Sequence, residues 1–135
     1  MMTLEKIMVC VNCESHAEQL IRRGVQLSQL LKSPLYVLSI DPELAKQPDD
    51  KQERCMAEWR KISQEAGAEF IMKNFQMRKP CDGIVESAKE KQITQLIIGQ
   101  SAQTRWQEIT RGSLINELLN KVGEIDLHVV AVGSE

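Results

Sequence analysis

The chain has 135 residues, of which 42% are hydrophobic and 27% are charged, and its formal net charge is −2. This length and balance predict one globular domain over residues 1–135. The slight acidic excess argues against nucleic-acid binding, which normally requires a surplus of Lys and Arg. No stretch approaches the roughly 18 apolar residues that a membrane span needs, so we expect a cytoplasmic protein that does not insert into a membrane.

The first part of the sequence predicts a strand, a helix and a second strand. The run KIMVCV at residues 6–11 is short, apolar and rich in β-forming residues, which is typical of a strand covered on both faces. After Ser15, a good N-cap, apolar residues recur every one to four positions and predict a helix of about five turns. Lys32 and Pro34 mark the end of this helix. The apolar run LYVLSI at residues 35–40 predicts a second buried strand.

The middle of the chain predicts a helix followed by a weaker strand. A polar segment with two prolines, DPELAKQPDD, separates this helix from the strand before it. Gly67 is well placed to end the helix, and the partly alternating AEFIMKNF at residues 68–75 predicts a strand near a sheet edge. The apolar face of the helix is expected to consist of Cys55, Trp59, Ile62 and Ala66.

The remaining sequence repeats the alternation of helix and strand twice. Pro80 is a natural first-turn residue for a third helix, and ITQLIIG at residues 93–99 predicts the strand after it. A short fourth helix is predicted to end at Gly123, before a last strand in IDLHVVAVG at residues 125–133. The apolar positions of these two helices are Ile84, Val85 and Ala88 in the third, and Leu114, Ile115, Leu118, Leu119 and Val122 in the fourth.

The order of these elements predicts the fold. Strands that alternate with amphipathic helices connect through right-handed crossovers, which gives an α/β fold with a five-stranded parallel sheet and helices on both faces. In such a sheet, ligands bind beyond the carboxyl ends of the strands, where the strand order reverses. The candidate binding segments are therefore residues 12–15, 39–41, 75–77 and 99–101.

The segment between the fourth strand and the fourth helix has the features of a phosphate site. Gly99 ends a strand, Gly112 precedes a helix, and Ser113 is the expected N-cap of that helix. Backbone amides approach an anion closely at such glycines, and the helix N-terminus adds a partial positive charge. The same residues fit a plain tight turn and an ordinary cap equally well. From spacing alone, both interpretations stay open.

This segment resembles the nucleotide loop of the universal stress protein family, in which a strand is followed by G-x-x-G-x(9)-G-[ST]. Gly99, Gly112 and Ser113 match the pattern, and Ala102 stands where its second Gly would be. The order of elements follows the family along the whole chain. The resemblance implies the Rossmann-like fold of that family, related to the adenine nucleotide alpha hydrolases, and binding of an adenine nucleotide, ATP or AMP, with no metal required.

A more specific resemblance is to the universal-stress-protein-like domain of the KdpD osmosensitive potassium sensor kinases. The segments VCVNCES, LIRRGVQLSQLL, GQSAQTRWQEITRGS and IDLHVVAV are similar to that branch in the same order. The resemblance implies a signalling module, excised or stand-alone, that acts with a sensor kinase or another signalling partner and forms a homodimer through its last strand, residues 127–132. The residues expected to bind the nucleotide are Asn12, Ser15, Ile40, Gly99, Ser101, Arg105, Gly112 and Ser113.

Departures from the family pattern leave two alternatives open. Asn12 stands where nucleotide-binding members have an Asp, so one alternative is a nucleotide-free module that dimerises or docks on a kinase. Some KdpD-type domains bind cyclic di-AMP through S-x-S-x(20)-F-T-A-x-Y. In this chain only Ser15 and an aromatic residue, Tyr36 in place of the Phe, remain of that motif. A cyclic di-AMP binder with a degenerate motif is therefore the second alternative.

Other residue patterns predict neither catalysis nor a metal site. The phosphate-loop motif G-x-x-x-x-G-K-[ST], paired carboxylates and zinc-type Cys/His spacing are absent, so we do not expect an enzyme. Cys10 and Cys13 form a C-x-x-C pattern, but Cys10 lies inside an apolar strand and is expected to be a buried, inert thiol. His128 is expected to make an interface or sheet-end hydrogen bond. Arg105 is expected to neutralise phosphate or to pair with Glu108.

Overall fold

The computed structural model describes residues 5–11, 17–39, 50–72, 80–100 and 114–131. Within these ranges, five strands alternate with four helices along the chain. None of the four helices is long and apolar enough to cross a membrane. The strands are β1 (Ile7–Val11), β2 (Leu35–Ser39), β3 (Glu69–Met72), β4 (Gln95–Gln100) and β5 (Asp126–Ala131). The helices are α1 (Ala17–Leu31), α2 (Asp50–Glu65), α3 (Pro80–Glu90) and α4 (Leu114–Lys121).

The five strands form one parallel sheet in the order β3-β2-β1-β4-β5. The chain builds one half of the sheet outward from β1 through β2 to β3. It then crosses back to the other side of β1 and adds β4 and β5. The strand order therefore reverses between β1 and β4, and β3 and β5 are the two edges. This arrangement confirms the predicted five-stranded parallel sheet and the expected edge position of β3.

Helices cover both faces of the sheet, and the central strand β1 shows why. Successive side chains of a strand point to opposite faces, and every residue of β1 is buried. Ile7, Val9 and Val11 belong to a core cluster shared with residues of α1 and α2. Met8 and Cys10 belong to a second cluster shared with residues of α3 and α4. The continuous apolar run of this strand therefore matches a layer of helices on each side, as predicted.

Helix α1 lies very close to the sheet at Gly24. A Cβ atom added to Gly24 would overlap Cγ2 of Val9 and would lie 3.1 Å from Cδ1 of Leu35. Carbon atoms in contact normally stay about 3.5–4.0 Å apart, so a side chain at this position would push the helix away from β1 and β2. Gly24 thus sets the distance between α1 and β1, the strand that precedes this helix in the chain.

Each of the four helices is followed by a residue with a left-handed backbone. Lys32 (φ 52°), Gly67 (φ 74°), Gln92 (φ 57°) and Gly123 (φ 63°) follow α1, α2, α3 and α4. A left-handed residue just beyond a helix is a common C-cap because it turns the chain out of the helical path. The predicted helix ends at Lys32, Gly67 and Gly123 are therefore confirmed.

The structure corrects two details of the sequence prediction. Strand β3 ends at Met72, so its carboxyl end precedes the predicted segment 75–77, which lies outside the described residues. The apolar patterns place Leu31, Ala66 and Leu119 on buried helix faces, but all three residues are exposed. Leu31 is the last residue of α1, and Ala66 directly follows the last residue of α2. Leu119 neighbours the fully buried Leu118, and adjacent helical residues point about 100° apart.

Polar side chains join the amino ends of β1, β4 and β5. Oε1 of Glu5 accepts hydrogen bonds from Nε2 of Gln95 (2.9 Å) and Oγ1 of Thr94 (2.7 Å). These two hydrogen bonds hold the pKa of Glu5 below its usual range, and the bond from Gln95 has the larger effect. Gln95 also lies within hydrogen-bond distance of Nε2 of His128 through its Oε1. The expected hydrogen bond of His128 is therefore present at this end of the sheet.

Candidate functional site

The strand order reverses between β1 and β4, which predicts a ligand cleft at the carboxyl ends of these two strands. These strands are paired in parallel from Ile7 with Gln95 to Val9 with Ile97, so their carboxyl ends emerge side by side. After β1 the chain turns toward β2, and after β4 it turns toward β5 on the opposite side. Connections that leave neighbouring strands in opposite directions open a crevice between them, which is where α/β sheets bind ligands.

Of the predicted site residues, Gly99 is the one that the structure describes. It is half-buried, lies one residue before the end of β4, and pairs in the sheet with Val130 of β5. Its predicted position at the end of a buried strand is confirmed, whereas a contact with phosphate remains a prediction. The other predicted site residues lie outside the described ranges: Asn12, Ser15, Ile40, Ser101, Arg105, Gly112 and Ser113.

Those residues follow strand ends that the structure does describe. Asn12 comes directly after Val11 of β1, Ile40 directly after Ser39 of β2, and Ser101 directly after Gln100 of β4. Because the three strands are adjacent and parallel, their carboxyl ends lie at one edge of the sheet. The topology therefore supports the prediction that these three positions contribute to one site.

Ser39 begins the predicted binding segment 39–41, but the sequence assigned it no specific contact. It ends β2, where it is paired with Val11 of β1 and with Met72 of β3. Its side chain is 1% exposed, and its Oγ has no hydrogen-bond partner among the described residues. An unpaired buried hydroxyl costs about 1–3 kcal/mol. The sequence did carry a signal for this hydroxyl, because Ser39 is a polar residue that ends an otherwise apolar strand at the ligand edge.

Tyr36, the aromatic residue of the degenerate cyclic di-AMP motif, lies away from this edge. It is the second residue of β2, three positions before Ser39, which corresponds to about 10 Å along a strand. Tyr36 packs against the cluster on the α3 and α4 side, and Nζ of Lys91 lies 5.7 Å from the centroid of its ring. Tyr36 therefore makes its contacts within the body of the fold, away from the ligand edge.

The pKa values of Cys10, Lys91 and Lys121 are shifted by burial or by ion pairing. Burial raises the pKa of the Cys10 thiol to about 12. The predicted buried position of this cysteine is confirmed, and its low reactivity stays a prediction. Hydrogen bonding to Glu69 raises the pKa of Lys91, and hydrogen bonding to Asp82 raises that of Lys121. Both lysines are in exposed salt bridges. In the described ranges, no group of three or more His, Cys, Asp or Glu residues is arranged to hold a metal ion.

Similarity to known proteins identifies the family of the chain. The model of the universal stress protein family matches residues 3–130. The chain belongs to the universal stress protein family. Solved structures of this family share the fold of the chain. One universal stress protein in complex with cAMP has a TM-score of 0.69 at 16% identity, with 98% of this chain and 100% of that chain covered.

A second solved structure is the universal stress protein from Archaeoglobus fulgidus in complex with dAMP. Its TM-score is 0.62 at 24% identity, and the match covers 98% of this chain and 100% of that chain. Each of these two neighbouring proteins is thus in complex with an adenine nucleotide. The universal stress protein fold predicted from the sequence is therefore confirmed.

The curated relatives are KdpD sensor proteins, as the sequence resemblance indicated. A KdpD sensor protein from Synechocystis sp. is 31% identical, and the match covers 96% of this chain and 34% of that relative. Sensor protein KdpD from Escherichia coli is 25% identical, and the match covers 96% of this chain and 14% of that relative. The chain thus spans about a third and about a seventh of the length of these two relatives.

Proposed function

We propose that this universal stress protein domain is a signalling module that binds an adenine nucleotide, ATP or AMP, at the carboxyl ends of β1 and β4. The observation that carries the proposal is the reversal of strand order at this point, with Gly99 close to the end of β4. Two solved neighbours with the same fold are complexes with cAMP and dAMP. Similarity to KdpD sensor proteins supports a cytoplasmic signalling role beside a sensor kinase.

The proposed contacts divide between the phosphates and the nucleoside. Backbone amides at Gly99 and Gly112 and the hydroxyls of Ser101 and Ser113 donate to phosphate oxygens, since a glycine-rich turn before a helix N-terminus binds anions well. The Arg105 guanidinium neutralises the phosphate charge.

Residues after β1 and β2 form the proposed nucleoside side of the site. Asn12 and Ile40 lie next to the nucleoside, and Ser15 closes the site at the start of α1. The unpaired hydroxyl of Ser39 is an additional donor at this edge. Nucleotide binding changes the population of a conformation or of a complex, and no chemical step is required of the chain. Neither a metal nor a catalytic residue is part of the proposal.

Isothermal titration calorimetry with ATP, AMP and cyclic di-AMP tests the proposal. We expect saturable binding of ATP or AMP that is lost in Gly112→Asp, because a carboxylate beside the phosphates repels them. Gln29→Asp is the matched control: it adds the same charge at an exposed position near the end of α1, at the opposite end of the sheet. Absence of binding for all three ligands would contradict the proposal. Binding of cyclic di-AMP alone would favour the degenerate-motif alternative.

A second candidate function is that of a nucleotide-free module that forms a homodimer or docks on a kinase through β5. The observation that favours it is Val129, a large apolar residue that is 41% exposed on this edge strand. Edge strands with exposed apolar residues tend to pair with another chain. Val129→Lys is expected to give a monomer in analytical ultracentrifugation, whereas Leu30→Lys, at an even more exposed leucine on α1, leaves the dimer intact. A monomeric parent protein would exclude homodimer formation.

A further inference from the structure

A groove lies between the carboxyl-terminal half of α2 and the edge strand β3. Its volume is about 430 Å³, and the residues that line it are Arg60, Ser63, Gln64, Ala68, Phe70 and Met72. Small-molecule sites in proteins span about 300–1,000 Å³. Strand β3 is separated from β4 by both β2 and β1. The groove is therefore distinct from the nucleotide site proposed at the carboxyl ends of β1 and β4.

The groove presents an arginine held against an aromatic ring. Cζ of Arg60 lies 5.6 Å from the centroid of the Phe70 ring. That ring in turn lies 6.5 Å from the ring of Trp59, which is buried in the core. A guanidinium that stacks on a ring keeps its N–H donors free at the edge of the plane. In the described part of the chain, no carboxylate forms a salt bridge with Arg60.

Polar side chains of the next helical turn add further donors. Ser63 is three residues after Arg60 on α2 and is 1% exposed, and its Oγ has no hydrogen-bond partner among the described residues. A serine hydroxyl moves between staggered χ1 positions, which lets the unpaired proton turn toward an acceptor in the groove. The amide of Gln64 lines the same wall. The donors thus come from one helix face.

The opposite wall is apolar. Phe70 and Met72 alternate along β3 and so point to the same side of it, and Ala68, directly before the strand, lines the same groove. Met72 is 47% exposed, which leaves apolar surface open beside the arginine. A cation with neighbouring donors on one wall and hydrocarbon on the other matches an organic acid better than a bare inorganic anion.

We propose that the groove between α2 and β3 binds a small organic acid, with its carboxylate on Arg60, Ser63 and Gln64 and its apolar group on Phe70 and Met72. Arg binds a carboxylate through two parallel N–H···O bonds, which explains why a planar guanidinium suits this ligand class. The apolar wall selects against phosphate, which has no hydrocarbon to bury. This second site does not depend on nucleotide binding.

The test uses ¹⁵N NMR of the full chain with phenylacetate as the probe. Phenylacetate is expected to shift the Arg60 Nε signal and the backbone amides of Ala68 and Phe70 in a saturable way. Phenylacetamide, which has the same ring without the charge, is expected to bind at least tenfold more weakly. Arg60→Gln is expected to weaken phenylacetate binding at least tenfold, whereas Arg54→Gln, at an exposed arginine of the same helix, leaves it unchanged.

Several results would overturn the proposal. Equal shifts with phenylacetate and phenylacetamide would show that the carboxylate is not recognised. Unchanged affinity in Arg60→Gln, in a variant whose spectrum shows the native fold, would remove the arginine from the site. The same shifts with inorganic phosphate would show that the apolar wall plays no part, and absence of any shift at Ala68 and Phe70 would exclude the groove itself.

Discussion

The close approach of α1 to the sheet predicts that Gly24→Ala destabilises the protein. In most helix interiors this change stabilises by about 1 kcal/mol, because Ala has a much higher helix propensity than Gly. Here the added Cβ would overlap Cγ2 of Val9 and would crowd Cδ1 of Leu35. Val9 is fully buried in the central strand, and a β-branched side chain has few alternative rotamers. The clash therefore cannot be relieved by a small side-chain movement.

The magnitude follows from the two opposing effects. Overpacking of a tight core costs about 1–3 kcal/mol, and the propensity gain offsets about 1 kcal/mol of this cost. Because the added Cβ would overlap a fully buried side chain, we take the upper part of the overpacking range, about 2–3 kcal/mol. The expected net loss in the free energy of unfolding is then about 1–2 kcal/mol. The second variant is Val9→Ala, which is destabilised by loss of buried hydrocarbon but makes room for the new methyl group. In the double variant, the Gly24→Ala substitution is expected to cost nothing or to stabilise the protein.

Urea unfolding of the parent, both single variants and the double variant provides the measurement. The difference between the sum of the single effects and the double effect is the coupling energy, which is expected to be about 1–3 kcal/mol for these residues in direct contact. The slopes of the unfolding curves need to agree among the variants for this comparison. A Gly24→Ala protein more stable than the parent, or additive effects, would refute the close packing of α1 on β1.

Two further predictions concern ionisable groups. Because burial raises the pKa of Cys10 to about 12, its thiol is expected to resist iodoacetamide at pH 8 in the native protein, whereas the partly exposed Cys55 reacts. Peptide mass spectrometry of the labelled protein checks this expectation. Rapid labelling of Cys10 in the native protein would contradict its burial. The folded-state pKa of Glu5 is lowered from 4.5, so its stabilising contribution is complete above pH 4.5 and is lost as the pH falls through the lowered value. Urea titrations are therefore expected to show Glu5→Gln less stable than the parent at pH 7 and equal to it at low pH, and a difference that persists unchanged in acid would contradict this hydrogen bonding.

The layers of the fold were predictable because burial is periodic in the sequence. The unbroken apolar run of β1 indicates a strand with helices on both faces, and its residues do alternate between the two core clusters. Gly67 and Gly123 marked helix ends because glycine adopts a left-handed backbone without strain. The exposure of Leu119 was not predictable, since its neighbour Leu118 takes the buried position and periodicity does not decide between adjacent apolar residues.

The candidate sites were predictable to different degrees. Topology rules locate the ligand edge from the order of elements alone, and the described strand ends at Val11, Ser39 and Gln100 agree with that position. The groove beside β3 gave no sequence signal, because Arg60 and Ser63 resemble ordinary polar residues of an amphipathic helix. Their significance depends on contacts with Phe70, which lies on another element, and such pairings between elements are not encoded in local spacing.

The most direct test of the central claim is to map the nucleotide on the sheet by ¹⁵N NMR with ATP and AMP. The account predicts saturable shifts of the backbone amides of Val11 and Gly99, which lie at the carboxyl ends of β1 and β4, while the amides of Ala68 and Phe70 beside the separate groove stay unchanged. Nucleotide-induced shifts confined to the groove, or no shift at Val11 and Gly99 at saturating nucleotide, would contradict it.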